Sequence, residues 1–123
     1  MLTLTRVRQA YRRTGFTPAS DVYLDRTRGL ACPVAAVCLA EQRLRPGQLR
    51  PPRAWQHVLQ ALEEPRPYVT AFLDAINRWH THDPLPTSSR TDPMRRLTER
   101  GWRDGERVGT ALFGRRRRTR RAS

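Results

Sequence analysis

The segment from Ala31 to Ala40 is the longest apolar run in this chain of 123 residues. Pro33 suits the first position of a helix, where its missing N–H costs nothing, and the run that follows predicts a helix from Pro33 to Gln42. Such a helix is apolar on every face, which is the pattern of an element enclosed by others rather than one lying at a surface. Whatever else the chain forms must therefore wrap this segment. Its length is about half of what a bilayer crossing requires, so burial in protein is the expectation.

Four further helices are predicted around it. Leu4, Val7 and Tyr11 recur at spacings of three and four ahead of Thr14-Gly15, which predicts a helix over residues 3–13 stopped by a glycine. Trp55, Val58, Leu59 and Leu62 mark a helix from Arg53 to Glu64, ended by Pro65. Tyr68, Val69, Phe72, Leu73, Ile76 and Trp79 mark the next, from Pro67 to Trp79. Asp92-Pro93 opens the last, as N-cap and first turn, and Met94, Leu97, Gly101, Gly105, Val108 and Leu112 place one face along it as far as Phe113. Between the first helix and the apolar run, Asp21–Asp25 and Leu30-Ala31 flank a turn around Gly29, read as either a small hairpin or a plain loop. Arg43–Pro52 and residues 80–92 read as linkers.

The glycines at 101, 105 and 109 fall every fourth position inside the last helical pattern. Each costs roughly 1 kcal/mol relative to alanine in a helix interior, so a compensating close approach of another helix or a ligand backbone is expected there. A broken helix is the alternative. Membrane dimerisation is excluded by the charged residues around them, Glu99 to Arg107.

Charge sets the other constraint. The formal net charge is +13 from 24 basic against 11 acidic residues, and every base is arginine. The absence of lysine fits a codon bias of a GC-rich genome, which explains the choice of base but not the excess. Six of the arginines, Arg115, Arg116, Arg117, Arg118, Arg120 and Arg121, crowd into seven positions near the C-terminus with no apolar partner. Charges this dense repel one another, so residues 115–123 are expected to be a disordered tail behind a helical domain of residues 1–114. Without the tail arginines the body still carries +7. A polyanion is therefore the expected partner, either nucleic acid held by its phosphates or an acidic protein. The tail has no interleaved aromatic residues, so stacking on single-stranded bases is not indicated.

Catalytic and metal signatures are weak. No Ser, His and Asp grouping has a nucleophile context, Glu63-Glu64 reads as a helix end, and His57 reads as a structural histidine. Cys32 and Cys38 lie about 9 Å apart if both are on one helix, beyond the reach of a disulfide, so both are expected free and buried. His80 and His82 form a His-x-His, but without a Cys-x-x-Cys or a further His pair a polar loop is the better reading. No cofactor, metal or enzymatic activity is expected. Residues Met1–Gln9 interleave Thr and Arg with Leu and give no secretory signal, so a cytoplasmic protein with reduced thiols and no membrane partner is expected.

The order Tyr11-Arg12-Arg13-Thr14-Gly15-Phe16-Thr17-Pro18, then Ala31-Cys32-Pro33, then Tyr68 with Phe72, then Gly101 with Gly105, resembles a group of short uncharacterised bacterial proteins. They share Tyr-x-x-Thr-Gly-x-x-Pro, Ala-Cys-Pro before small apolar residues, an aromatic helix and a glycine-spaced end. Ala71 and Ala75 stand where that group leads one to expect glycine. The resemblance implies no activity and assigns no functional residue.

The expectation is thus an all-α domain of about five helices, with room for one short hairpin after the first, and a non-enzymatic role in non-specific nucleic-acid contact through the tail. The alternative is a protein-interaction module whose groove beside Gly101, Gly105 and Gly109 receives a partner helix.

Overall fold

The computed structural model describes residues 1–41, 55–78 and 94–114. The first helix, α1 (Leu4–Thr14), starts where Thr3 Oγ1 accepts the Arg6 N–H at 3.2 Å. It stops at Gly15, which adopts φ 74° and returns its N–H to the Tyr11 carbonyl at 2.9 Å. Val7, Ala10 and Tyr11 face inward while Arg8, Arg12 and Arg13 face solvent.

A small sheet follows in a mostly helical fold of five helices, and it goes beyond the single hairpin for which the expectation left room. Three two-residue strands, β1 (Thr17–Pro18), β2 (Leu24–Asp25) and β3 (Leu30–Ala31), order as β1-β3-β2. The pair β2–β3 is the antiparallel hairpin that was one of two readings. Its turn is held by Asp25, whose carboxylate accepts both the backbone and the Nε of Arg28, and by Gly29 at φ 68°. The addition is β1, which pairs in parallel with β3. The sheet then delivers the chain into the second helix, with the Cys32 N–H bonded to the Tyr23 carbonyl at 2.9 Å.

That helix, α2 (Pro33–Ala40), is buried at every position from Pro33 to Cys38. The apolar run is thus enclosed as expected, by α1, α3 and the sheet among others. Cys32 serves as its N-cap, with Sγ 3.5 Å from the Ala35 nitrogen. It ends at Ala40 with Glu41 as C-cap, and the Glu41 carboxylate accepts from Arg6 of α1; Gln42, the expected end, lies outside the described residues.

Helix α3 (Trp55–Leu62) stops when Glu63 takes the left-handed conformation, φ 56°, and Pro65 then precedes α4 (Arg66–Asn77). Helix α3 thus stops two residues before the expected Glu64 and α4 starts one residue before the expected Pro67; the expected outer ends, Arg53 and Trp79, lie outside the described residues, as does the side chain of His57. Helix α5 (Arg95–Phe113) begins after Met94 rather than at Pro93. Met94 has no side-chain capping bond and is 47 % exposed, so it does not belong to the buried face to which its spacing assigned it. Asp92, Pro93 and the two linkers, 43–52 and 80–92, lie outside the described residues.

One continuous core joins these elements. It runs from Leu2 through Val7, Val34, Val37, Leu62, Tyr68 and Phe72 to Val108.

Candidate nucleic-acid interface

The six arginines on which the sequence placed phosphate contact, Arg115, Arg116, Arg117, Arg118, Arg120 and Arg121, lie outside the described residues. What is described is the helix that leads to them. Helix α5 closes at Gly114, whose φ of 83° takes the chain out of helical geometry while its N–H still reaches the Thr110 carbonyl at 3.0 Å.

The inner face of α5 is built for close approach. A Cβ added to Gly105 would meet the Cβ of Ala75 at 2.7 Å and the Phe72 carbonyl oxygen at 2.8 Å; one added to Gly101 would meet the Cβ of Ala71 at 2.9 Å and press on the Tyr68 carbonyl. Those separations leave no space for a side chain. The two glycines therefore admit the backbone of α4, and Ala71 and Ala75 are the small residues that complete the contact. The expected close packing is met from within the chain, and at Gly101 and Gly105 no room is left for the partner helix of the interaction-module reading. The contact is locked at one end by Tyr68 of α4. Its hydroxyl donates to Asp104 Oδ2 at 2.5 Å and accepts the Leu2 N–H at 3.0 Å.

The outer face of the same helix is basic. Arg96, Arg100, Arg103 and Arg107 are all exposed, and at about 100° per residue their spacing of four, three and four gathers them within an arc of about 60°. None of the four has an ion pair or side-chain hydrogen bond with another described residue. The acidic residues of α5 stand to the sides of this stripe. Glu99 accepts Arg95 Nε at 2.8 Å, Asp104 holds Tyr68, and Glu106 is half-buried. Sequence reasoning took these arginines as body charge and as part of the charged surroundings of the glycines, not as a stripe. Their signal was the same three-four spacing that marked the glycines, read half a turn away.

Other groups offer less. Cys32 and Cys38 are free and buried, and burial pushes both thiols up to about 12, which keeps them protonated and poor nucleophiles. Among the described residues no group of three or more His, Cys, Asp or Glu side chains converges where a metal ion could be held, and His80 and His82 lie outside them. Arg13 and Arg26 flank an open groove with Phe16 and Leu39, but Glu41 lines it as well and opposes an anion there. Among the described residues no helix is long and apolar enough to cross a membrane.

Comparison with known proteins yields no relationship: no family model matches the chain, and neither the curated proteins nor the solved structures contain a match.

Proposed function

We propose that this is a non-enzymatic, cytoplasmic protein that binds nucleic acid without sequence preference, through electrostatic contact of its arginine-rich C-terminal segment with phosphates. The observation that carries the reading is the distribution of charge. A net +13 is concentrated so that six arginines fall between positions 115 and 121, where no apolar pattern recruits them to a core. Guanidinium groups pair with phosphate oxygens in a two-pronged geometry, and neutralising phosphates releases condensed counterions, so the affinity needs no base readout.

The experiment is a salt titration. The full chain and a variant with all six arginines of 115–121 replaced by glutamine are titrated against duplex DNA, single-stranded DNA and RNA. For the parent, log affinity falls with log salt at a slope of roughly −0.9 per phosphate contact on duplex DNA, and the variant's slope is shallower by about three to five units on every sequence tried. A parent with no measurable affinity at low salt, or a variant with an unchanged slope, defeats the proposal.

A further inference from the structure

We infer that the outer ridge of α5, formed by Arg96, Arg100, Arg103 and Arg107, is a second, folded docking surface for the phosphate backbone of a nucleic-acid duplex. The inference rests on the nucleic-acid reading of the tail and adds to it a rigid surface with defined residues.

Geometry supports it first. At ~1.5 Å of rise per residue the four arginines span about 16.5 Å along the helix axis. A duplex carries one negative charge per about 1.7 Å of axis over its two strands, so a ridge of this length lies against several phosphates, enough to engage its four guanidinium groups. The four side chains are exposed and have no carboxylate partner among the described residues, so docking them breaks no existing ion pair there. The helix beneath them is fixed by the seating of Gly101 and Gly105 on α4, and little backbone order has to be gained on binding.

Chemistry then selects among polyanions. A helix that lies on a membrane presents its apolar stripe to the lipid. Here Val108 is buried, Leu97 and Leu112 are half-buried, and the exposed neighbours of the ridge are Thr110 and Ala111. A protein partner would be anchored by buried aromatic or aliphatic side chains within the contact. Met1 and Met94 are the large apolar residues left exposed among the described residues, and Met94 precedes the helix. What remains is a line of guanidinium groups without apolar relief, suited to a line of phosphates. In the sequence, Arg115 follows Gly114, the last described residue.

The test uses the full chain carrying R96Q, R100Q, R103Q and R107Q with the tail intact. Glutamine has nearly the helix propensity of arginine, so the melting temperature should hold; a double variant, R100Q with R103Q, is measured beside it in case the quadruple change unfolds the protein. Duplex DNA, duplex RNA, phosphatidylserine vesicles and polyglutamate are each titrated over a range of salt. The expected result on either duplex is a salt slope shallower by about three units for the quadruple variant and about half that for the double. Binding to vesicles and polyglutamate should be weaker than to duplex at the same salt. An unchanged duplex slope in a folded variant, while glutamine at the six tail positions abolishes salt-dependent binding, overturns the ridge and leaves the tail standing. The reverse pattern, loss with the ridge variant and none with the tail variant, supports the ridge and defeats the tail reading. Vesicles or polyglutamate binding more tightly than duplex overturns the choice of partner.

Discussion

Tyr68 and Asp104 join α4 to α5 through a hydroxyl–carboxylate hydrogen bond of 2.5 Å, beside the point where Gly101 brings the two backbones together. The same hydroxyl takes the N–H of Leu2, whose side chain is fully buried, so one oxygen ties the start of the described chain to both helices. Burial, and then the neighbouring carboxylate, raise the phenol well above its ordinary range and keep it protonated as the donor.

Removing that oxygen should be costly out of proportion to its size. Tyr68→Phe leaves a buried N–H at Leu2 without its acceptor and strips Asp104 of a hydrogen bond to a charged group, for an expected loss of about 1–3 kcal/mol. Asp104→Asn should cost less, because its amide oxygen still accepts from Tyr68. Urea unfolding of the two single variants and the double measures the coupling. Additive losses would mean that the two side chains do not act as a pair.

The glycine contact makes a prediction opposite in sign to helix propensity. Gly105→Ala improves the intrinsic preference of α5 by roughly 1 kcal/mol. Its Cβ, however, would fall 2.8 Å from the Phe72 carbonyl oxygen, a backbone atom that cannot move aside cheaply. The balance should be net destabilisation, and Gly105→Leu should lose a few kcal/mol through overpacking. Pairing Gly105→Ala with Ala75→Gly relieves the 2.7 Å side-chain clash but not the one with the Phe72 backbone, so rescue should be partial. Thermal melts in which Gly105→Leu matches the parent would show that α4 does not cover this face.

What was legible in the sequence is what repeats. The enclosed position of α2 followed from an apolar run without a polar face, and a close approach to the last helix followed from glycines four apart, because a helix turns spacing into a surface; that α4 makes this approach is seen in the structure alone. Of the sheet, the hairpin was one of two readings, and strand β1 escaped because each strand has two residues, too few for any alternation to register. The bond between Tyr68 and Asp104 spans 36 positions, and no local pattern announces a partner that distant. Among the arginines, composition hid the pattern. With 24 of them in the chain, the four on one side of α5 read as excess charge until the buried side of that helix was fixed.

Arg6 and Glu41 should behave as a fork rather than as two charges. Arg6 Nε and Nη2 reach the two carboxylate oxygens at 2.7 and 2.8 Å, both side chains are about one-quarter exposed, and the pair clasps α1 to the end of α2. The hydrogen bond to Glu41 is the main reason the Arg6 guanidinium is raised above its ordinary value. Arg6→Gln should cost about 1–2 kcal/mol, more than a typical surface pair. Arg6→Lys keeps the charge but not the planar two-pronged match, so it should recover less than half of that loss. The exposed Asp25–Arg28 pair is the control, and Arg28→Gln should leave the melting temperature nearly unchanged. A lysine at position 6 that restores full stability would reduce the interaction to charge alone.

The thiols should make the fold fail at alkaline pH. Burial raises both Cys32 and Cys38 from about 9 in the open chain to about 12 in the fold. Below pH 9 both states hold these protons and the thiols leave stability independent of pH. Between pH 9 and 12 the unfolded chain releases them while the folded one retains them, so stability falls as pH rises, by roughly 1.4 kcal/mol per pH unit for each thiol. Tyr11 and Tyr23 are also raised by burial and steepen the same decline at its upper end. A Cys32→Ala, Cys38→Ala double variant isolates the sulfur share: it is less stable than the parent at pH 7 through lost packing, yet its stability should fall more gently between pH 9 and 10.5. Thiol titration gives the independent readout, since a disulfide-forming reagent at pH 8 should find no fast thiol in the native protein and two after denaturation. Rapid native reaction, or parallel alkaline curves for parent and variant, would mean that the two sulfurs reach solvent and that α2 is less enclosed than its buried positions indicate.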